Sequence, residues 1–476
     1  MDKLFCRKNA FFIVCFVVLF KIFLSASIEL HPDEAYYWLW SQRLALGYFD
    51  HSPMVAWFIK ATTLFFNSEF AVRFSSIIVT IMLSFLIWNL AKKLFNEVIA
   101  AASVIVLNTF PEMMTASIII TPDIPVFLFF SLSVYYLWCL IESNQVKYWY
   151  ITGLFFGLAL LSKYTAILFG LSLFVYIIAD RKWHWFKNKH LYFMFIISFI
   201  VFLPVIIWNL QHEWASFTFQ LYHGLVSINN KIHFNYIFDY FGSQCLAVGP
   251  VIFISGIVAA ISYFYSKSSK KNFIVSFSVP IIMFFLFTAF KKNPEANWPA
   301  FAYFAFSIMC CAYLLENNSK IKRKILVYGT VFNFIISFLL GLHVKYAIVP
   351  LMFFSRHAAV TDATNWFYGW RELGDNLVKR NVKYVIADTQ QWGGAIAYYT
   401  KNKLQVLTGP VPVNQFKYWA IPDDLAYSRV AIVNVDKSMK CDFSKIKNMD
   451  IIMVSRNGIP IRQYAVIENN GYEMKK

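Results

Sequence analysis

Long apolar runs separated by short polar gaps fill the chain from about residue 10 to residue 345, and then the pattern changes. Runs of about 17 to 25 apolar residues are long enough to cross a hydrocarbon core. The spans expected on this basis are about 10–28, 71–91, 97–112, 122–141, 147–162, 164–180, 190–209, 237–265, 272–290, 299–315 and 324–345. The first outer loop, Glu29 to Phe70, is the longest. Its segment Asp33–Leu46 is aromatic on one face, and Pro32 suits the first position of a helix. An amphipathic helix lying in the membrane interface is expected there, followed by a second short helix over Pro53–Phe66.

Beyond Tyr346 short apolar runs alternate with polar stretches. Residues 384–387, 404–407, 430–433 and 451–454 predict buried strands, and Trp370–Lys379 and Trp392–Thr400 predict helices. The expected fold class is therefore a polytopic α-helical membrane protein of about eleven spans with a C-terminal soluble α/β domain. The division falls between residues 1–345 and 346–476. The soluble part has no GxGxxG or P-loop, which leaves nucleotide binding unsupported. No small-residue cleavage site follows the first segment, Phe11–Ile28, so it is expected to be a retained anchor with Met1 as the mature start.

Composition agrees with a membrane protein: 59% of residues are hydrophobic and 14% charged. The net charge of +17 raises the question of nucleic acid, and the placement of the cations answers it. Lys3, Arg7 and Lys8 precede the first span, Lys92 and Lys93 follow the second, and Arg181, Lys182, Lys187 and Lys189 follow the sixth. Lys267, Lys270 and Lys271 follow the eighth, and Lys320, Lys322, Arg323 and Lys324 the tenth. By the positive-inside rule these loops face the cytoplasm. The N-terminus is then cytoplasmic and the soluble domain outside, and the charge serves topology and anionic lipid. Six of the seven cysteines lie in or beside apolar segments, leaving Cys441 without a disulfide partner in the soluble domain.

The polar residues closest to apolar segments gather on the outer face: Asp33, Glu34, Asp50, His51, Asp123, Lys163, Lys291, Lys292, Glu295 and Asn297. Structural explanations exist for each. Acids in a first helical turn meet the positive end of the dipole, Asp50 or Ser52 can cap the helix near Pro53, and outer lysines can be snorkelling anchors. Taken together, carboxylates and cations at one face also suit a reaction that needs a base and stabilisation of an anionic leaving group, with phosphate the obvious candidate. A histidine such as His51 takes up a proton when an anion sits beside it.

At these residues the chain resembles the GT-C superfamily of polyprenyl-phosphate-sugar-dependent glycosyltransferases, in particular the bacterial protein O-mannosyltransferase-like group that includes the lipid A aminoarabinose transferases. The tracts that carry the resemblance are His31-Pro32-Asp33-Glu34-Ala35-Tyr36-Tyr37, Tyr48-Phe49-Asp50-His51-Ser52-Pro53, Thr121-Pro122-Asp123 and Leu161-Ser162-Lys163-Tyr164. The resemblance implies that Asp33 is the catalytic acid of the first outer loop, with Glu34 beside it, and that Asp123 is a second acid of the same site. His51 stands where the aminoarabinose transferases have a lysine that contacts donor phosphate, and Ser52 where they have proline. Lys163, Lys291 and Lys292 are the further expected phosphate contacts. Tyr36, Tyr37, Asp50, Tyr164, Glu295, Asn297 and Trp298 are the expected substrate contacts.

The implied reaction passes a sugar from a polyprenyl phosphate to an envelope acceptor at the outer leaflet, with inversion. Lipid A or lipopolysaccharide, another glycan and a protein hydroxyl are all open as acceptors. No cofactor is demanded, and a divalent cation held by the acids is left open. The competing class is a transporter or flippase of a lipid-linked saccharide, which would show repeats and discontinuous helices with polar groups at the bilayer midplane.

Overall fold

A computed structural model of the chain describes residues 4–224, 233–409, 413–436 and 449–470; Lys3 and Cys441 lie outside them. The first apolar run forms α1 (Arg7–Ser27), and the first outer loop supplies α2 (Pro32–Gln42) and α3 (Met54–Thr62). There follow α4 (Glu69–Leu94), α5 (Glu97–Thr109), the short α6 (Pro111–Met114), α7 (Asp123–Ser143), α8 (Lys147–Leu160), α9 (Leu168–Ala179), α10 (Lys189–Gln211) and α11 (Ala215–Gly224). Next come α12 (Phe234–Val248), α13 (Pro250–Phe264), α14 (Ser269–Ser276), α15 (Val279–Thr288), α16 (Tyr303–Leu315) and α17 (Lys320–Tyr346).

Every expected span is helical, though several of the helices are short. Among the described residues seven helical segments are long and apolar enough to cross a membrane, or eight if the bent pair α12 and α13 is one span. The expected spans 97–112, 147–162 and 164–180 contain α5, α8 and α9, with 13, 14 and 12 residues. At 1.5 Å per residue each α-helix reaches only about 20 Å.

The expected eighth span, 237–265, is broken: α12 and α13 meet at 108°. Gly249 at the corner has φ +83°, where a side chain is strained, and Pro250 starts the next helix without needing an amide donor. Asn333 of α17 donates from Nδ2 to Val248 O at 2.7 Å, satisfying a carbonyl freed by the break. A Cβ on Gly249 would lie 1.7 Å from Asn333 Oδ1, so this corner is closed by packing. Small residues set another approach: Gly153 and Gly157 of α8 face Met194 and Ser198 of α10, and a Cβ at Gly153 would come 2.5 Å from Met194 O.

The chain divides into two compact units. One contains residues 1–23, 45–55 and 74–338; the other contains 24–44, 56–73 and 339–476. The second unit thus takes α2, most of α3 and the first turn of α4 together with the C-terminal region. Its helices there are α18 (Arg356–Val360), α19 (Trp370–Val378) and α20 (Gln390–Tyr399). Its strands are β1 (Tyr384–Ala387), β2 (Gln405–Thr408), β3 (Arg429–Asp436), β4 (Met449–Arg456) and β5 (Ile459–Asn470), in sheet order β2-β1-β3-β5-β4.

The β2-β1-β3 half is parallel, and β5 pairs antiparallel with both β3 and β4. Tyr384, Ile386, Leu407, Leu425 and Val430 form a core on it. All four expected strands and both expected helices are present to within a few residues. β5 is the addition, because Pro460, Arg462 and Gln463 interrupt its apolar run and its pairing with two neighbours holds it.

α2 differs from the interfacial helix expected. Nine of its eleven residues, Pro32 and Glu34 to Ser41, are buried. The cause lies on α20, where a Cβ at Gly394 would sit 2.5 Å from Tyr36 N and Cα. Glycine there lets the two helices approach backbone to backbone, and the aromatic face of α2 becomes core.

Candidate active site

In the first unit the structure joins three of the expected residues. Asp123 opens α7 without capping it, since the N-cap is Pro122 and no side-chain cap bond is made. Its carboxylate instead accepts from Lys163 Nζ at 2.6 Å and from Asn297 Nδ2 at 2.8 Å, with Thr121 Oγ1 donating at 3.3 Å. Lys163 is presented by the turn after α8, where its amide and that of Ser162 both bond Ala159 O. The Lys163 and Asp123 side chains are 8% and 12% exposed, so this ion pair is little screened by water. Asn297 comes from the loop between α15 and α16. Three separate stretches of sequence therefore meet at one carboxylate.

His51 lies in the same unit. Gln220 of α11 donates to Asp50 O and approaches His51 Nδ1 at 3.3 Å. Burial, with Lys163 and then His223 adding positive charge, pulls the His51 imidazole down to about 3, so the ring is neutral at physiological pH. Ser52 spends its hydroxyl on Leu160 O at 3.0 Å rather than on a helix cap.

The remaining outer-loop residues divide. Lys292 donates to Tyr222 O and His223 O at 2.6 Å each, closing the C-terminus of α11, while Lys291 is exposed. Glu295 is exposed and accepts from Trp298 Nε1 at 3.2 Å. Tyr164 contacts Ser216 Oγ at 2.7 Å and packs on Phe217.

Glu112 of α6 is an ionisable residue in the electrostatic range of Asp123 and Lys163. It is partly accessible. Burial and then the neighbouring Asp123 charge raise its carboxyl to about 7, against the opposing pull of Lys163 and Lys21. An ionisable residue beside apolar segments is itself a signal, and Glu112 follows Pro111 at the end of an apolar run.

In the second unit the acidic pair splits into two roles. Glu34 forms a capping box, taking His31 N at 2.9 Å, and accepts from Arg73 Nε at 2.9 Å and Nη2 at 2.6 Å. Both side chains are fully buried. Arg73, not expected from the sequence, further donates to the carbonyls of Ser25, Ile28 and Glu29 at 3.2, 3.0 and 2.7 Å. It thereby ties the end of α1 to the start of α2. Asp33, by contrast, is 41% exposed and has His31 Nδ1 at 3.4 Å. Tyr36 and Tyr37 are buried with Trp40 and Phe416 in an aromatic cluster. Among the described residues no three His, Cys, Asp or Glu side chains converge to hold a metal ion.

A model of the dolichyl-phosphate-mannose-protein mannosyltransferase family matches residues 50–208, which carry His51, Asp123 and Lys163. The lipid A galacturonosyltransferase RgtD of Rhizobium johnstonii is 26% identical over 300 residues, 59% of this chain and 60% of that one. The chain thus matches less than two thirds of that relative's length. The crystal structure of ArnT from Cupriavidus metallidurans bound to undecaprenyl phosphate superposes with a TM-score of 0.71 at 12% identity, covering 96% of this chain and 97% of that one. The fold is that of ArnT. The Archaeoglobus fulgidus oligosaccharyltransferase in its apo form is similar in fold, at a TM-score of 0.54 and 10% identity over 90% of this chain and 70% of that one. The likeness of fold to ArnT covers nearly the entire chain.

Proposed function

We propose that this protein is an integral-membrane glycosyltransferase that moves a sugar from a polyprenyl phosphate to an acceptor of the bacterial envelope, at the outer leaflet and with inversion. The observation that carries this reading is the Asp123–Lys163–Asn297 cluster, a buried ion pair whose two charged members lie within the segment matched by the mannosyltransferase family model, joined by Asn297 from beyond it. A lipid-linked donor is supported by the undecaprenyl phosphate bound to ArnT, and a lipid A acceptor by the name of RgtD.

In the proposed reaction an acceptor oxygen attacks the anomeric carbon, the bond from that carbon to the phosphate oxygen breaks, and polyprenyl phosphate leaves with the electron pair. Asp33 takes the proton of an acceptor hydroxyl; its exposure leaves it reachable. Glu34 holds Asp33 in place through Arg73. Lys163 offsets charge on the phosphate, and neutral His51 takes up a proton as the anion arrives. Lys291 is the remaining cation for the phosphate, with Lys292 orienting α11. Asn297 fixes Asp123, while Asp50, Glu295 and Trp298 line the approach. On this reading the C-terminal region is periplasmic and the N-terminus cytoplasmic, an orientation that the loop charges support.

The flippase alternative has the broken α12–α13 span in its favour. That corner is filled by Asn333, and among the described residues no ion pair forms at it, which favours the enzyme.

The test is reconstitution in nanodiscs with undecaprenyl-phosphate-linked sugars and lipid A precursors, read by mass spectrometry, beside envelope mass analysis of a deletion strain. A sugar missing from the envelope and restored by wild type but not by Asp123→Asn is the expected result. Sugar translocation without transfer overturns the reading.

A further inference from the structure

Lys21 sits in the middle of α1, fully buried, and its Nζ donates to Thr80 Oγ1 and Ser117 Oγ at 2.7 Å each. Both hydroxyls spend their own protons on backbone carbonyls, Thr80 on Ser76 O at 2.9 Å and Ser117 on Met113 O at 2.6 Å. Their lone pairs are therefore committed to the amine, and the lysine is fixed from two sides. Among the described residues no carboxylate forms an ion pair with it. The charge that acts on it is that of Glu112, next in sequence to the Met113 carbonyl that anchors Ser117.

Glu112 is the complementary case. It feels Lys21, Lys163 and Asp123, and its negative charge acts on Tyr303 in turn. Yet among the described residues no hydrogen bond or ion pair reaches its carboxylate, which is partly accessible. A carboxylate withdrawn from bulk water without donors is costly, and two lysines in range offset its charge without supplying the missing hydrogen bonds. Its unfilled acceptor positions match a ligand that brings O–H groups. A phosphate brings none when ionised, whereas a sugar ring brings several.

Building on the proposed transfer reaction, we propose that Glu112 is a sugar-binding residue, accepting hydrogen bonds from ring hydroxyls of the saccharide on the polyprenyl phosphate, with Lys21 as the fixed cation behind it. The phosphate is left to Lys163 and His51, so carrier and sugar are read by different side chains of one unit. Lys21 is a positioning residue, since it is closed off by protein.

The experiment compares undecaprenyl phosphate alone with undecaprenyl-phosphate-linked mannose, galactose and galacturonic acid, as binding probes for the full-length protein in nanodiscs. Glu112→Ala is expected to leave affinity for the bare carrier within about twofold and to weaken the best sugar-linked probe by about tenfold or more, the usual range for a hydrogen bond to a charged group. Glu112→Gln, which keeps an acceptor oxygen and tolerates a small structural effect, is expected to fall between. Lys21→Met should follow Glu112→Gln with a raised KM for donor. Equal losses for bare and sugar-linked carrier, or no loss for either, overturn the assignment. Wild-type protein that binds the bare carrier but gains nothing from any sugar overturns the sugar site alone. Wild-type protein that binds no probe overturns the transferase reading with it.

Discussion

Glu34 and Asp33 are adjacent in sequence, and the structure predicts opposite consequences for their loss. Glu34→Gln retains the shape of the side chain but leaves the Arg73 guanidinium as an uncompensated charge in a site where neither partner is exposed. Removing one member of a buried pair costs about 3–5 kcal/mol. Three backbone carbonyls stay within 2.7 to 3.2 Å of Arg73, so the lower end, about 3 kcal/mol, is expected. At roughly 2 to 4 °C per kcal/mol that is a fall of about 6 to 12 °C in the thermal midpoint. Glu34→Gln with Arg73→Met should recover part of it.

Asp33 is 41% exposed with one weak partner, His31 Nδ1 at 3.4 Å, and exposed pairs contribute about 0–1 kcal/mol. Asp33→Asn should keep the wild-type midpoint and lose transfer. The assay is intrinsic-fluorescence unfolding in detergent, run beside donor-transfer rates normalised to folded protein. Glu34→Gln with a wild-type midpoint and no transfer would falsify the positioning role and place Glu34 at the chemistry.

Lys163→Met should abolish transfer and lower the midpoint by stranding Asp123, whereas Asp123→Asn with Lys163→Met should restore much of the midpoint and none of the activity; recovery of activity would refute the phosphate role. His51 is neutral in the folded state down to about pH 3 but takes up a proton near pH 6.5 once unfolded, so the unfolded state binds more protons below pH 6.5. Wild type should therefore lose about 1 kcal/mol relative to His51→Gln between pH 6.5 and 5.5, with less loss when undecaprenyl phosphate is bound; parallel midpoint curves for the two proteins count against it. Gly394→Ala should displace α2 from α20 and depress kcat through His31 and Asp33, and an unchanged kcat would show that the contact does not govern the site.

Much of this was legible from residue types because each element satisfies a local rule. Strands β1 to β4 are built around short apolar runs, and the TPD and SKY turns place charge at helix ends where apolar sequence makes it conspicuous. What the sequence hid depends on distant partners. Glu34 looks like half of a catalytic pair until Arg73, 39 residues later, is seen to occupy it. Asp123 looks like a cap, but Lys163 and Asn297 lie 40 and 174 residues away. Lys292 looked like a phosphate ligand and is instead held by helix-end carbonyls. Lys21 and Glu112 were visible as ionisable residues within and beside apolar runs. Their mutual placement comes from Thr80 and Ser117, which no spacing rule connects.

The second compact unit draws residues 24–44 and 56–73 from near the start of the chain and 339–476 from its end. Leu30 N, for instance, donates at 2.7 Å to Tyr399 OH, 369 residues later. At 5–20 residues per second a ribosome needs roughly 20 to 75 s to cover that distance. During biosynthesis the segment carrying α2 must wait that long, with its aromatic face uncovered, before α20 emerges to shield it. A truncation at residue 346 would deprive α2 of its packing partner, and a chaperone that guards the unfinished loop is a sensible thing to look for in cells making this protein.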